Sequence, residues 1–140
     1  MDRRVKGRTV TIPPGEYLIC GAINMLHGSS LIGKEDSVLI FDASRGTEPS
    51  INLSSFNTVD GFTVDITKLK SSKKYEDQTK YVPEHRVFDL GNHENSFAKS
   101  SAAGSSINIR NIHFKSDASY KYVDLIYVHL GDAIAKDLND

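Results

Sequence analysis

A single cysteine, Cys20, is present among the 140 residues, so no internal disulfide can form. It follows the apolar run Tyr17-Leu18-Ile19 and reads as a small buried hydrophobe rather than a reactive thiol. No apolar stretch approaches the roughly 20 residues a membrane-crossing helix needs. The opening Met1-Asp2-Arg3-Arg4-Val5-Lys6 is basic but has no apolar core after it, so it does not read as a secretion signal. The compartment stays open on the sequence, with a virion or a secreted setting among the readings. Neither sign of charge is in excess: 17 Lys and Arg oppose 18 Asp and Glu, for a net charge of −1. That balance argues against nucleic acid and against an anionic membrane as partners. Helical periodicity is also missing, except for a weak pattern over Asp132–Leu138. Tight two-residue hairpin turns are absent as well, which counts against an antiparallel sandwich.

What remains is a pattern of short strands. Hydrophobic residues make up 39% and charged residues 25%, a globular rather than disordered balance. The apolar residues fall in β-branched and aromatic runs: Thr9–Ile12, Ile19–Met25, Val38–Phe41, Ile51–Leu53, Phe62–Ile66, Val87–Leu90, Ile107–Phe114 and Tyr122–Leu130. Turn residues separate them, as at Pro13-Pro14-Gly15 and His27-Gly28-Ser29-Ser30. Residues 68–82, lysine-rich, and 95–106, small and polar, read as inserted loops. They are solvated excursions on the plain reading, and the basic one is a grip for an acidic glycan on the functional one.

Two segments repeat. Val59-Asp60-Gly61-Phe62-Thr63-Val64-Asp65 aligns with Ile109-Arg110-Asn111-Ile112-His113-Phe114-Lys115. The alternation slips at Gly61 and Asn111, residue types that tolerate left-handed backbone. Asp60 faces Arg110 and Asp65 faces Lys115, so stacking would set opposite charges together. Leu31-Ile32-Gly33 reads as an earlier, shortened copy. A second alignment sets Ile40-Phe41-Asp42-Ala43, Val87-Phe88-Asp89-Leu90 and Tyr122-Val123-Asp124-Leu125 in register. The expected fold is all-β: a right-handed parallel β-helix of about three rungs, forming one partial domain over residues 1–140.

The segment Gly7-Arg8-Thr9-Val10-Thr11-Ile12-Pro13-Pro14-Gly15-Glu16-Tyr17-Leu18-Ile19 resembles an early rung of the pectate-lyase-like superfamily, which includes polygalacturonases and bacteriophage tailspikes. Leu31-Ile32-Gly33 and Val59–Val64 resemble the rungs that follow. The resemblance covers residues 7–66 well and 85–130 loosely. It implies a polysaccharide partner, and for a tailspike-like protein a homotrimer. The family's usual Asp-Thr opening and capping helix are missing. So are the polygalacturonase signatures and the arginine motif of calcium-dependent pectate lyases. A binding module is therefore favoured over the alternatives, which are a polysaccharide lyase or glycoside hydrolase and a purely structural solenoid.

The candidate chemistry centres on the aspartates. If Asp42, Asp89 and Asp124 stacked in register, neighbours would lie about 5 Å apart. Carboxyls that close share a proton or bind a cation, which makes Ca2+ the one cofactor to consider. They also match the separation used by retaining glycosidases. Asp89, Asp124 and Arg86 are the candidate catalytic groups, with Arg86 or Lys121 available to neutralise a uronate. Asp42, His113, Lys121 and Tyr122 are the candidate substrate-binding groups, and Tyr120, Tyr122 and Tyr127 form a candidate sugar platform. The plain alternative is that the aspartates hydrogen-bond local backbone at turns. The histidines lack zinc-ligand spacing. Gly28–Lys34 mimics a phosphate-binding loop, but Glu35 replaces the required hydroxyl residue and no helix pattern follows.

Overall fold

The computed structural model describes residues 7–45, 47–69, 85–90, 106–117 and 123–128. Strands succeed one another with no helix among these residues. The first turn of the chain holds β1 (Thr9–Thr11), β2 (Gly15–Ile19) and β3 (Ala22–Asn24). The second holds β4 (Ser30–Ile32), β5 (Ser37–Phe41) and β6 (Ser50–Leu53). The third holds β7 (Thr58–Asp60), β8 (Thr63–Asp65) and β9 (His85–Leu90). The fourth holds β10 (Asn108–Arg110), β11 (His113–Lys115) and β12 (Val123–Val128).

Each strand pairs in parallel with its counterpart one turn away. The result is three sheets of four strands: β1-β4-β7-β10, β2-β5-β8-β11 and β3-β6-β9-β12. This is a short parallel β-helix, in keeping with the small stack expected. At about 4.8 Å between neighbouring strands, each sheet is about 15 Å tall.

The repeat that carries the coil is the one legible in the sequence. Val59 pairs with Ile109 and Asp60 with Arg110 in the first sheet. Val64 pairs with Phe114 and Asp65 with Lys115 in the second. Leu31 lies under Val59, so the shortened copy is a true earlier turn. The charge pairs form, with Arg110 to Asp60 at 3.3 Å and Lys115 to Asp65 at 3.9 Å. Both cations are largely exposed, so each pair contributes at most about 1 kcal/mol.

The interior contributes more. Inward columns run Leu31–Val59–Ile109, Leu39–Val64–Phe114 and Ile51–Phe88. Phe41, Ile51, Val59, Phe62, Val64, Val87 and Phe88 have no exposed surface. Burying each such side chain is worth about 1.5–3 kcal/mol. Phe88 packs between Phe62 and Phe114, with ring centroids 6.5 and 6.2 Å away, and so joins the third turn to the fourth.

Two expected strands are each divided by a corner. The run Ile19–Met25 ends β2, breaks at Cys20-Gly21 and resumes as β3, leaving Cys20 half-buried rather than in the core. The run Ile107–Phe114 breaks at Asn111-Ile112. The mimic of a phosphate-binding loop contains β4 and leads into a turn and β5, not a helix. Nearly all of the two expected inserted loops lies outside the described residues.

The corners impose special backbone. Gly61 and Asn111 adopt φ of 93° and 52°, as their residue types suggest. A Cβ on Gly61 would strike the carbonyl oxygen of Gly33 in the corner below. Gly61→Ala should therefore cost at least about 2 kcal/mol through strain and collision. Asn111→Gly keeps the left-handed backbone and loses one exposed hydrogen bond to Asp60, so it should cost less than about 1 kcal/mol. Urea denaturation midpoints read both; equal losses would contradict the corner geometry.

Candidate functional site: the outer face of the third sheet

The outward column of the third sheet reads Asn24, Asn52, Asp89, Tyr127, one residue from each turn. Alternation along a strand sends these side chains outward while Ile51 and Phe88 point in. Asn52 Nδ2 donates to Asn24 Oδ1 at 2.8 Å, and Ser50 Oγ donates to Asn52 Oδ1 at 3.0 Å. The lower half of the column is thus a short amide ladder, with Asp89 stacked above it.

Arg86 joins this face through a break in alternation. Residues three apart on a regular strand point to opposite sides. Arg86 Nη1 nevertheless lies 3.6 Å from Asp89 Oδ2. Between them, Val87 and Phe88 are both fully buried, and His85 and Asp89 are buried as well. The guanidinium then comes to rest over Tyr127, with Cζ 3.8 Å from the ring centroid. A cation over a partly exposed ring is worth about 0.5–1 kcal/mol. At the start of β9, His85 Nδ1 lies 2.9 Å from Glu48 Oε2, tying the strand to the preceding corner.

The stacked aspartates are the main correction. Asp42 follows β5 in the second sheet, whereas Asp89 and Asp124 lie on β9 and β12 in the third. Within that sheet Asp124 pairs with Arg86, and Asp89 pairs with Tyr127. The two carboxylates are therefore offset by three positions, or about 10 Å along the strands. The closely spaced carboxylate pair that motivated catalysis and Ca2+ binding does not form in this register. Among the described residues no group of three or more His, Cys, Asp or Glu side chains is placed to hold a metal ion. The sequence alignment failed because it matched apolar-apolar-Asp triplets without regard to which sheet each would enter or, for Asp89 and Asp124, in which register they would pair.

Asp42 follows the plain alternative. Its Oδ1 accepts from the Ser44 backbone N–H at 2.9 Å, closing a local turn. The Ser44 hydroxyl and then this N–H hold its carboxyl below the usual aspartate range. His113 is on the outer face of the second sheet, exposed, beside Thr63 and away from Arg86. Lys121, Tyr122 and Tyr120 lie outside the described residues. The structure thus brings Arg86, Asp89, Asp124 and Tyr127 onto one sheet and leaves Asp42 and His113 apart from it. Asn24 and Asn52 are additions. Their signal was the recurring Ile-Asn of Ile23-Asn24 and Ile51-Asn52, at the same 28-residue step that separates Ser30 from Thr58.

The fold and this face define a parallel β-helix with a polar, aromatic-bearing outer strip. No protein-family model matches the chain, and no curated protein or solved structure matches it.

The depressed Asp42 carboxyl gives a pH prediction. A folded-state value below the unfolded one adds stability above the ordinary aspartate pKa, and that stability is lost as pH falls through the folded value. The stability gap between the natural chain and Asp42→Ala should thus be full above about pH 5 and narrow below about pH 4. Denaturation midpoints across pH 2–7 (roughly the range where carboxylates titrate) measure it; a constant gap would refute the role given to Ser44.

Proposed function

We propose that this chain is a polysaccharide-interacting β-helix module, tailspike-like or surface-glycan-binding, whose third sheet presents its outer strip to sugar. The observation that carries this reading is Arg86 held over the Tyr127 ring and beside Asp89, above the Asn24–Asn52 amide pair. Polysaccharides offer hydroxyls that both donate and accept, carboxylates in acidic chains, and apolar ring faces. Amides meet the first, a guanidinium the second and an aromatic ring the third. The strip is built on sheet rather than loop, which holds these groups at fixed spacing.

The resemblance to the pectate-lyase-like superfamily supports the same ligand class, and a homotrimer belongs to the tailspike form of the proposal. The enzymatic reading, a lyase or glycoside hydrolase, keeps Arg86 as a group to neutralise a uronate. The register that separates Asp89 from Asp124 weighs against a hydrolytic carboxylate pair.

Binding of acidic and neutral polysaccharides by calorimetry tests the proposal. Tyr127→Ala and Arg86→Ala should each weaken binding about tenfold, the loss of one aromatic or charged contact. Arg110→Ala, on the first sheet, should leave it unchanged. Equal effects from all three would remove the third sheet from the reading. Light scattering on the same samples reads the trimer as about three times the 15.5 kDa chain mass.

A further inference from the structure

The corner leading from the third sheet back to the first repeats one backbone requirement in each turn. Thr58 pairs with Ser30 below and Asn108 above. Two residues before each of these lie Gly28, Phe56 and Ser106, with φ of 77°, 58° and 53°. Three successive turns take a left-handed residue at this place. Glycine meets that need without strain. A bulky aromatic residue is a genuine outlier there.

Phe56 is nevertheless locked in place. The neighbouring Asn57 is completely buried. Its Nδ2 donates to Leu26 O at 2.7 Å and Ser29 O at 3.1 Å, and its Oδ1 accepts from Ser54 N at 2.8 Å. Gly28 N donates to Ser55 O at 2.9 Å across the same two corners. This network fixes the corner, and the strained residue within it turns its ring outward. Phe56 is 48% exposed, and Leu26, which precedes His27 in the chain, is 65% exposed. His27 meets the Phe56 ring edge-on, with centroids 5.1 Å apart. Burial does not explain the ring, and the backbone disfavours it.

We propose that Phe56, with Leu26 and His27, is an aromatic subsite that stacks on the apolar face of a pyranose ring. This rests on the polysaccharide reading and extends it to a second place on the molecule. Size selects the occupant. The two apolar side chains expose on the order of 200 Å². A stable protein contact needs about 800 Å² from each partner. One sugar ring fits the smaller area. Position agrees: Asn24 is three residues before His27, and Asn52 is four residues before Phe56, so this corner follows the amide pair along both strands. A glycan crossing the third sheet along its strands would meet the Phe56 ring as it left the sheet.

Phe56→Gly tests the subsite because it relieves the strained backbone while removing the ring. Calorimetry with cellohexaose and hexagalacturonate, together with the melting temperature, reads both effects. The subsite predicts about tenfold weaker binding of the oligosaccharide that the natural chain takes, with the melting temperature unchanged or raised. A melting temperature lowered by several degrees would show that the ring serves packing, and would overturn the inference. Unchanged affinity for Phe56→Gly, with Tyr127→Ala still impaired, would overturn the subsite and leave the third-sheet reading standing. Failure of the natural chain to bind either oligosaccharide would overturn both.

Discussion

The structure depends on one constraint: every turn of the coil must lie on the turn before it, backbone to backbone, in parallel. Parallel strands cannot be closed by a tight hairpin, so each must find its partner one full turn away. Here the partners are far apart in the chain. From residue 30 to residue 58 is 28 positions, and from 58 to 108 is 50. Several corners then repeat the same left-handed backbone at matching places, however long the excursions between them. Gly61 and Asn111 hold one such place, and Gly28, Phe56 and Ser106 hold another. Buried Asn57 shows how corners are joined, since its side chain replaces backbone partners that the turns leave unmet.

The same constraint creates the outer strip. Stacked turns put chemically matched residues in columns, and a column of outward polar groups becomes a surface with a fixed repeat. The first sheet uses this for charge pairing, as between Asp60 and Arg110. The third uses it for amides, a carboxylate and an aromatic ring. Arg86, which regular alternation would have sent elsewhere, also reaches this strip, beside Asp89 and over Tyr127.

Much of this was legible in the sequence, and the limits have physical causes. Val59–Asp65 against Ile109–Lys115 was readable because both copies run through the same corner without insertion. Left-handed backbone at Gly61 and Asn111 was readable because few residue types tolerate it. The aspartate series was misread because an apolar-apolar-Asp triplet encodes neither a strand's sheet nor its register within it. Asp42 closes a turn after β5, while Asp89 sits within β9. The amide ladder escaped notice because a single Ile-Asn dipeptide is common. Phe56 was hidden because nothing in an isolated sequence marks a phenylalanine as left-handed; that emerged only from its register with Gly28.

The most direct test of the account is the pattern of nuclear Overhauser contacts between methyl groups in the folded chain. The stacked coil predicts contacts of Leu31 with Val59 and of Val59 with Ile109, residues paired in adjacent strands of the first sheet. Contacts instead between strands consecutive in sequence, in the mirrored order of an antiparallel ladder, would contradict the coil and with it the outer strip.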